Sequence, residues 1–131
     1  MKAPERSPEV CYALLRIVSG FLFACHGAQK IFGVLGGHTV AGDKLLTAAA
    51  WIELAGGILI ALGLLAGPIA FIASGEMAVA YFKGHASRSL WPVVNGGELA
   101  VIFCFVFLYI AAHGSGAFSV SGSLGRGRSP S

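Results

Sequence analysis

One apolar stretch of the chain, residues 14–32, carries three basic side chains, and this combination limits what the chain can fold into. The stretch is apolar enough to enter a lipid bilayer, yet it contains Arg16, His26 and Lys30. On a helix that turns about 100° per residue, these three residues fall within a sector of roughly 80°. A one-sided stripe of basic residues on a membrane helix is expected to face other protein segments, because charged groups are costly in lipid.

The composition of the whole chain indicates an integral membrane protein. Of its 131 residues, 56% are hydrophobic and only 11% are charged, which lies outside the usual balance of a soluble domain. We therefore expect no separate soluble catalytic domain within these residues. Its net charge of +3 comes from scattered basic residues and favours contact with anionic lipid. No basic tract suited to nucleic acid is present.

The apolar stretches and the turn residues between them predict an all-α fold, a four-helix transmembrane bundle. A crossing needs about 20 residues, so four crossings use most of the chain. We expect a flexible N-terminal arm at residues 1–9, a bundle domain at residues 10–113 and a flexible tail at residues 114–131. The predicted spans cover residues 10–35, 45–65, 68–83 and 97–113.

The second predicted span contains a single ionisable residue, Glu53, followed by the glycine pair Gly56 and Gly57. Spacings of three and four residues place these positions on one face of a helix. Small residues on such a face allow a neighbouring helix to approach closely, so we interpret the glycines as packing positions.

Charged residues within or at the edges of the spans balance in number. The bases are Arg16, Lys30 and Lys83, and the acids are Glu53, Glu76 and Glu98. A lone charge at the bilayer centre costs at least about 2.5–3.5 kcal/mol. We therefore expect the side chains to pair across helices inside the bundle.

Two interpretations of this charged network stay open. In one, the charges fix helix register and partner choice without any chemistry. In the other, they line a buried pocket that holds a small polar head group, such as a quinone carbonyl, or that relays protons. The residues predicted to line this pocket are Arg16, His26, Lys30, Glu53, Glu76, Asn95 and Glu98.

The sequence gives no motif for a metal or a tightly bound cofactor. Cys11, Cys25 and Cys104 occur singly, with no cysteine pair or Cys/His cluster at ligand spacing, and we expect all three thiols to be inert. The chain also lacks a glycine-rich dinucleotide loop and a pair of haem-ligand histidines. We therefore predict no metal site, and no catalytic residue can be named from the sequence.

The distribution of basic residues favours a topology with both termini in the cytoplasm. Four crossings place the two termini on one side, where the flanking charges are Lys2, Arg6, Arg126 and Arg128. The opposite side carries Lys44, Lys83 and Arg88. Since cytoplasmic loops hold the excess of positive charge, the difference of one charge favours this orientation.

In the order and spacing of its polar residues, the chain resembles the DoxX family of small bacterial membrane proteins over roughly residues 10–121. The residues that carry the resemblance are Arg16, His26, Gly27, Lys30, Gly33, Glu53, Gly56, Gly57, Gly63, Leu64, residues 76–82, His85, Trp91, Pro92, residues 95–100 and residues 114–119. One departure is at the tail, where many relatives have an acid and this chain has Val120 and Ser121.

The resemblance implies a four-helix bundle in the bacterial cytoplasmic membrane and an association with redox chemistry. The family name is shared with a subunit of a thiosulfate:quinone oxidoreductase, and some members resemble parts of membrane oxidoreductase complexes. It therefore implies a component of a membrane oxidoreductase, with a quinone as the candidate cofactor.

We favour a redox-associated membrane protein whose pocket binds a quinone or a small thio-anion. Arg16 and Lys30 would supply positive charge, and the glutamates would pair with them or carry protons. The main alternative is a noncatalytic subunit of a larger membrane complex, or a self-associating protein, in which the charges hold the assembly together. A third alternative is a small transporter or proton pathway, although the chain shows no inverted repeat.

Overall fold

The computed structural model describes residues 5–126, and this part of the chain is entirely helical, with six helices and no strand. The expected arm at residues 1–9 and the tail at residues 114–131 therefore lie partly outside the described residues, as do Lys2 and Arg128. The helices are α1 (Ser7–Phe32), α2 (Lys44–Leu62), α3 (Ala66–Gly84), α4 (Pro92–Asn95), α5 (Glu98–His113) and α6 (Val120–Arg126).

The helix ends lie where turn and capping residues occur in the sequence. α1 begins at Ser7, three positions before the predicted span, with a proline in its first turn, and it ends at Gly33 in the left-handed conformation. Asp43 caps α2 by accepting a hydrogen bond from the Leu46 N–H at 3.0 Å. Gly63, also left-handed, ends α2 and starts a tight turn into α3.

The four longer helices pack mainly as two pairs, α1 with α2 and α3 with α5, and α2 also contacts α3. Glycines allow the backbones of α1 and α2 to come close together. A Cβ atom added to Gly57 would lie 2.5 Å from the carbonyl oxygen of Gly20, and one added to Gly20 would lie 2.7 Å from that of Gly57. This contact agrees with the packing role that the spacing of the glycines predicts.

An aromatic and aliphatic core lies between the two helix pairs. Phe23 of α1 meets Phe107 of α5 edge to face with ring centroids 4.7 Å apart, and Phe107 stacks against Phe103 at 5.3 Å. Ile60 of α2 and Ile110 of α5 are completely buried beside them. Because Phe23 belongs to the same helix face as Arg16 and Lys30, this core separates the two basic residues.

Large apolar side chains also cover much of the outer surface. Phe21, Phe71, Phe82 and Phe105, from α1, α3 and α5, are each more than 60% exposed. Apolar exposure of this extent is unusual for a soluble protein and typical of a lipid-facing surface. Among the described residues, α1 and α2 are long and apolar enough to cross a membrane, and α5 is a shorter apolar helix.

The chain after α5 folds back onto the turn between α2 and α3. The Ser121 N–H donates to the Gly63 carbonyl at 3.1 Å, and the Ser121 hydroxyl accepts from the Leu65 N–H at 3.2 Å. The Ser115 hydroxyl accepts from the Ala66 N–H at 3.2 Å. These bonds give the described part of the expected tail a defined position against the helices.

Candidate functional site

Arg16 lies in a site of its own at the end of the molecule where α1 begins. The side chain is 1% exposed, and its Nε donates to the Ile60 carbonyl at 3.0 Å. One terminal nitrogen donates to the Phe118 carbonyl at 2.7 Å and the other to the Ser115 carbonyl. We call this group of one guanidinium and three carbonyls the Arg16 site.

The partners in the Arg16 site explain how a buried cation is stabilised without a nearby acid. Ile60 lies in the last turn of α2, whose final carbonyls have no partner within the helix and carry the negative end of the helix dipole. Ser115 and Phe118 follow the end of α5. A guanidinium has a rigid fork of donors that suits several acceptors at once, so Arg16 joins α1, α2 and the chain after α5.

The predicted grouping of Arg16 with the other candidate residues is not what the structure shows. Arg16 and Lys30 share a face of α1, but fourteen positions separate them by about 21 Å along the helix axis. Arg16 forms no ion pair within residues 5–126 and reaches none of the glutamates.

Lys30 and Glu53 form the one ion pair in the described part of the chain. Lys30 Nζ lies 2.6 Å from Glu53 Oε1, linking the last turns of α1 to the middle of α2. The Glu53 side chain is 1% exposed, whereas that of Lys30 is 34% exposed. This contact is a cross-helix pair of the kind that the balanced charges predict. The second oxygen of Glu53, Oε2, is buried and has no hydrogen-bond partner among the described residues.

A cavity of about 230 Å³ opens beside this ion pair, and we call it the Lys30–Glu53 cavity. Side chains of α1, α2, α3 and α5 form its walls, and the segment between α3 and α5 adds His85 and Gly96. The lining is mainly apolar or aromatic, with four ionisable side chains. The lining residues are Phe23, His26, Lys30, Glu53, Met77, Ala80, His85, Gly96, Leu99, Ala100 and Phe103.

Glu76 of α3 lies beside the ion pair but lines a different depression. The Glu76 carboxyl interacts with that of Glu53 and with Lys30. It faces an apolar groove of about 530 Å³ between α2 and α3, which we call the α2–α3 groove and which Lys30 also lines. Like Glu53 Oε2, Glu76 Oε2 is buried without a hydrogen-bond partner among the described residues. Lys30, Glu53 and Glu76 thus meet where the two spaces adjoin.

The side chain of Asn95, another predicted site residue, does not line the cavity. Its amide nitrogen donates to the Tyr81 hydroxyl at 3.1 Å and to the Ser89 carbonyl at 2.8 Å, and its Oδ1 accepts from the Gly97 N–H at 2.8 Å. With its donors used in this way, Asn95 holds the connection between α3 and α5 in shape. That connection carries His85 to the cavity.

Glu98 and Lys83 also differ from the predicted arrangement. Both are exposed, and neither forms an ion pair within residues 5–126. Glu98 lies in the first turn of α5, where an acid is favoured by the positive end of the helix dipole. The prediction that all six charges pair with one another is therefore wrong, because two of them stay at the surface and Arg16 uses backbone carbonyls.

Among the cavity-wall residues that the sequence interpretation missed, three carry a ring: Phe23, Phe103 and His85. Phe23 has a signal, because spacings of three and four residues place it on the same face as His26 and Lys30. Phe103 contacts His26 edge to face with ring centroids 6.1 Å apart. His85 has no periodic signal, since it follows the end of α3 and its position depends on the path of the connection.

The described residues contain neither a metal-ligand cluster nor a disulfide bond. No group of three or more His, Cys, Asp or Glu side chains within the described residues is placed to hold a metal ion. Cys11, Cys25 and Cys104 form no disulfide bond.

Comparison with known proteins places the chain in a membrane family. The DoxX family model matches residues 11–86. A protein of Haemophilus influenzae (strain Rd), described only as an uncharacterized protein, is 42% identical over 112 residues, covering 80% of this chain and 84% of the relative. No solved structure matches the chain significantly. From the family match and this identity, we conclude that the chain belongs to the DoxX family.

Proposed function

We propose that this DoxX-family protein spans the bacterial cytoplasmic membrane as a four-helix bundle and binds the polar head of a quinone in the Lys30–Glu53 cavity. In this arrangement α1, α2, α3 and α5 are the crossing helices, and both termini lie on the cytoplasmic side. The protein acts in redox chemistry as the quinone-binding component of a membrane oxidoreductase.

The outer surfaces of α3 and α5 support four crossings. Phe71, Phe82 and Phe105 project from these two helices with more than 60% of their surface exposed, as lipid-facing side chains do. The sixteen residues of α5 extend about 24 Å, somewhat less than the roughly 30 Å of a bilayer core. Trp91, 72% exposed just before α4, suits the headgroup level at that end.

The observation that carries the quinone proposal is the combination of aromatic walls and free donors in one cavity. Phe23 and Phe103 offer ring surfaces to a planar head group. The Lys30 ammonium has three donors and uses one on Glu53, so it can donate to a quinone carbonyl. No hydrogen bond from the described residues engages the His26 ring, which is therefore available to a second acceptor.

The size of the cavity favours a head group rather than a whole ligand. Pockets for complete drug-sized ligands usually measure about 300–1,000 Å³, and this cavity measures about 230 Å³. A molecule with a small polar head and a long apolar tail fits this limit if its tail stays in lipid.

The charges of the cavity favour an uncharged ligand over a thio-anion. Glu53 already offsets the charge of Lys30, and Glu76 lies beside both. An anion entering the cavity would meet a lysine whose charge is already offset by Glu53, with the Glu76 carboxyl nearby. A quinone carbonyl needs donors but no net positive charge, so it agrees better with these residues.

A binding measurement on the purified protein tests this proposal. We expect a short-chain quinone analogue to bind the protein in lipid nanodiscs, and Lys30→Met to weaken that binding at least tenfold. Lys83→Met, which removes an exposed lysine, is the matched control and should bind as the wild type does. Absence of saturable binding to the wild type, or equal binding by both variants, would contradict the proposal and favour a structural subunit.

A further inference from the structure

Lys30, Glu53 and Glu76 form a cluster in which two acids compete for one base. Each residue comes from a different helix, α1, α2 and α3 in turn. Glu53 is almost completely buried, and its Oε1 accepts from Lys30 Nζ at 2.6 Å. Lys30 can neutralise one carboxylate, so the cluster would keep an excess negative charge if both acids were ionised. Such a charge is costly away from water.

The two buried carboxyl oxygens that lack partners point to a missing proton donor. Glu53 Oε2 and Glu76 Oε2 are both buried, and no donor from the described residues reaches either one. Glu53 and Glu76 also interact electrostatically with each other, and Lys30, the partner of Glu53, lines the groove beside Glu76. An ionised carboxylate only accepts hydrogen bonds, so two of them cannot bond to each other unless one carries a proton.

Among the described residues, the other acids and lysines around the cluster add no net charge that would resolve this conflict. From α1 the cavity receives His26 and Lys30, and from the end of α3 it receives His85. α5 contributes only Leu99, Ala100 and Phe103, while its acid Glu98 is exposed. At the outer part of the α2–α3 groove, Asp43 and Lys83 add one charge of each sign.

We propose that Glu53 and Glu76 share one proton and together form an exchangeable proton-binding site between the Lys30–Glu53 cavity and the α2–α3 groove. The proton bridges the two carboxyl groups, and the remaining negative charge is held by Lys30. The cluster as a whole is then neutral, which agrees with the burial of Glu53 and of the two unpartnered carboxyl oxygens.

Because the site lies between the two spaces, a proton can move between the α2–α3 groove and the Lys30–Glu53 cavity. Glu53 lines the cavity, and Glu76 lines the groove. A proton taken up by Glu76 from the groove side can pass to Glu53 and then to a ligand oxygen, after which Glu76 accepts another. The route rests on the proposed function only for the identity of the ligand, whereas the shared proton does not depend on any ligand.

Infrared spectroscopy of the purified full-length protein tests the shared proton directly. A protonated carboxyl gives a carbonyl stretching band that an ionised carboxylate lacks. We expect such a band in the wild type at neutral pH, with a shift when the sample is transferred to deuterated buffer. Glu76→Gln, which keeps the shape of the side chain, should remove the band because Glu53 then pairs with Lys30 alone.

A second variant and a control keep the test decisive. Glu53→Gln should shift or remove the band, which provides the test if Glu76→Gln does not fold. Glu98→Gln, at an exposed acid, should leave the band unchanged. Absence of the band from the wild type, or its persistence unaltered in both buried variants, would overturn the proposal. Failure of the quinone analogue to bind while the band is present would overturn only the proposed ligand.

Discussion

The Arg16 site and the Lys30–Glu53 cavity each contain a basic group carried by α1, yet the two groups are bonded in different ways. At Arg16, three backbone carbonyls accept hydrogen bonds, one from each nitrogen of the guanidinium. At Lys30, a single carboxylate is the partner, two carboxyl oxygens stay unbonded within the described residues, and a cavity adjoins. Bonds to main-chain carbonyls at every guanidinium nitrogen indicate a structural role, whereas buried carboxyl oxygens without a partner beside a cavity indicate a place for a ligand.

The largest effect on stability is expected from a substitution that tests the structural role of Arg16. Arg16→Met should lower the free energy of unfolding on the order of 3–5 kcal/mol, because three hydrogen bonds from a charged donor are lost and each contributes about 1.5–3 kcal/mol. Denaturation followed by circular dichroism in detergent measures the change. The exposed Arg6 provides the control as Arg6→Met, which should leave stability unchanged. Equal stability of the two variants would remove the structural role of Arg16.

A substitution between the two sites should affect both of them. Gly57→Ala places a Cβ atom against the backbone of α1 near Gly20 and pushes α1 away from α2. We expect a loss of about 1–3 kcal/mol, typical of overpacking, together with weaker quinone binding, since both sites bridge these helices. Gly75→Ala, also within a helix, is the control, because no atom lies within 4 Å of the added carbon. This variant should be as stable as the wild type or slightly more stable. Similar melting curves for the two variants would contradict the close contact.

Near the Arg16 site, removal of one hydroxyl should have a smaller effect. Tyr12 donates to the Gly114 carbonyl at 2.5 Å and stacks on His113 with ring centroids 3.7 Å apart. Tyr12→Phe keeps the ring contact and loses the hydrogen bond, at a cost of about 1 kcal/mol. Tyr109→Phe, at a tyrosine that is 55% exposed, is the matched control. If both variants unfold like the wild type, the bond to Gly114 contributes nothing to stability.

The smallest effect on stability is expected in the cavity, where binding should change instead. His26→Ala removes no hydrogen bond to the described residues, so unfolding should shift by less than about 0.5 kcal/mol. Affinity for the quinone analogue should fall several-fold, as expected from one lost hydrogen bond of about 1 kcal/mol. Titration calorimetry compares this variant with His38→Ala, at an exposed histidine. A large loss of stability in His26→Ala would indicate that His26, like Arg16, has a structural role.

Much of the helical architecture could be predicted from the sequence because its signals are local. Gly33 and Gly63 end α1 and α2 close to where turn residues indicate, and the apolar stretches between them form the long helices. The pairing of Lys30 with Glu53 follows from the cost of an isolated charge in an apolar environment. These predictions depend on residue type and spacing along one helix or between two helices.

It was harder to predict which residues form the candidate site. The answer depends on how far along the helix axis each residue lies and on contacts with main-chain atoms. Helical periodicity places Arg16 and Lys30 on one face of α1 but says nothing about the core around Phe23 that separates them. The partners of Arg16 are main-chain carbonyls, which every residue possesses and which no sequence pattern marks. Asn95 and Glu98 were assigned to the pocket by residue type, whereas the path of the connection turns one inward to the backbone and leaves the other exposed.

The partners of Arg16 also have a consequence for how the molecule is made. During synthesis the arginine leaves the ribosome early, whereas Ser115 and Phe118 emerge about a hundred positions later. Until then the insertion machinery or a neighbouring lipid headgroup must accommodate an unsatisfied guanidinium at one end of α1. A nascent chain that stops before these two carbonyls would lack two of the three hydrogen bonds that hold Arg16 in the finished protein.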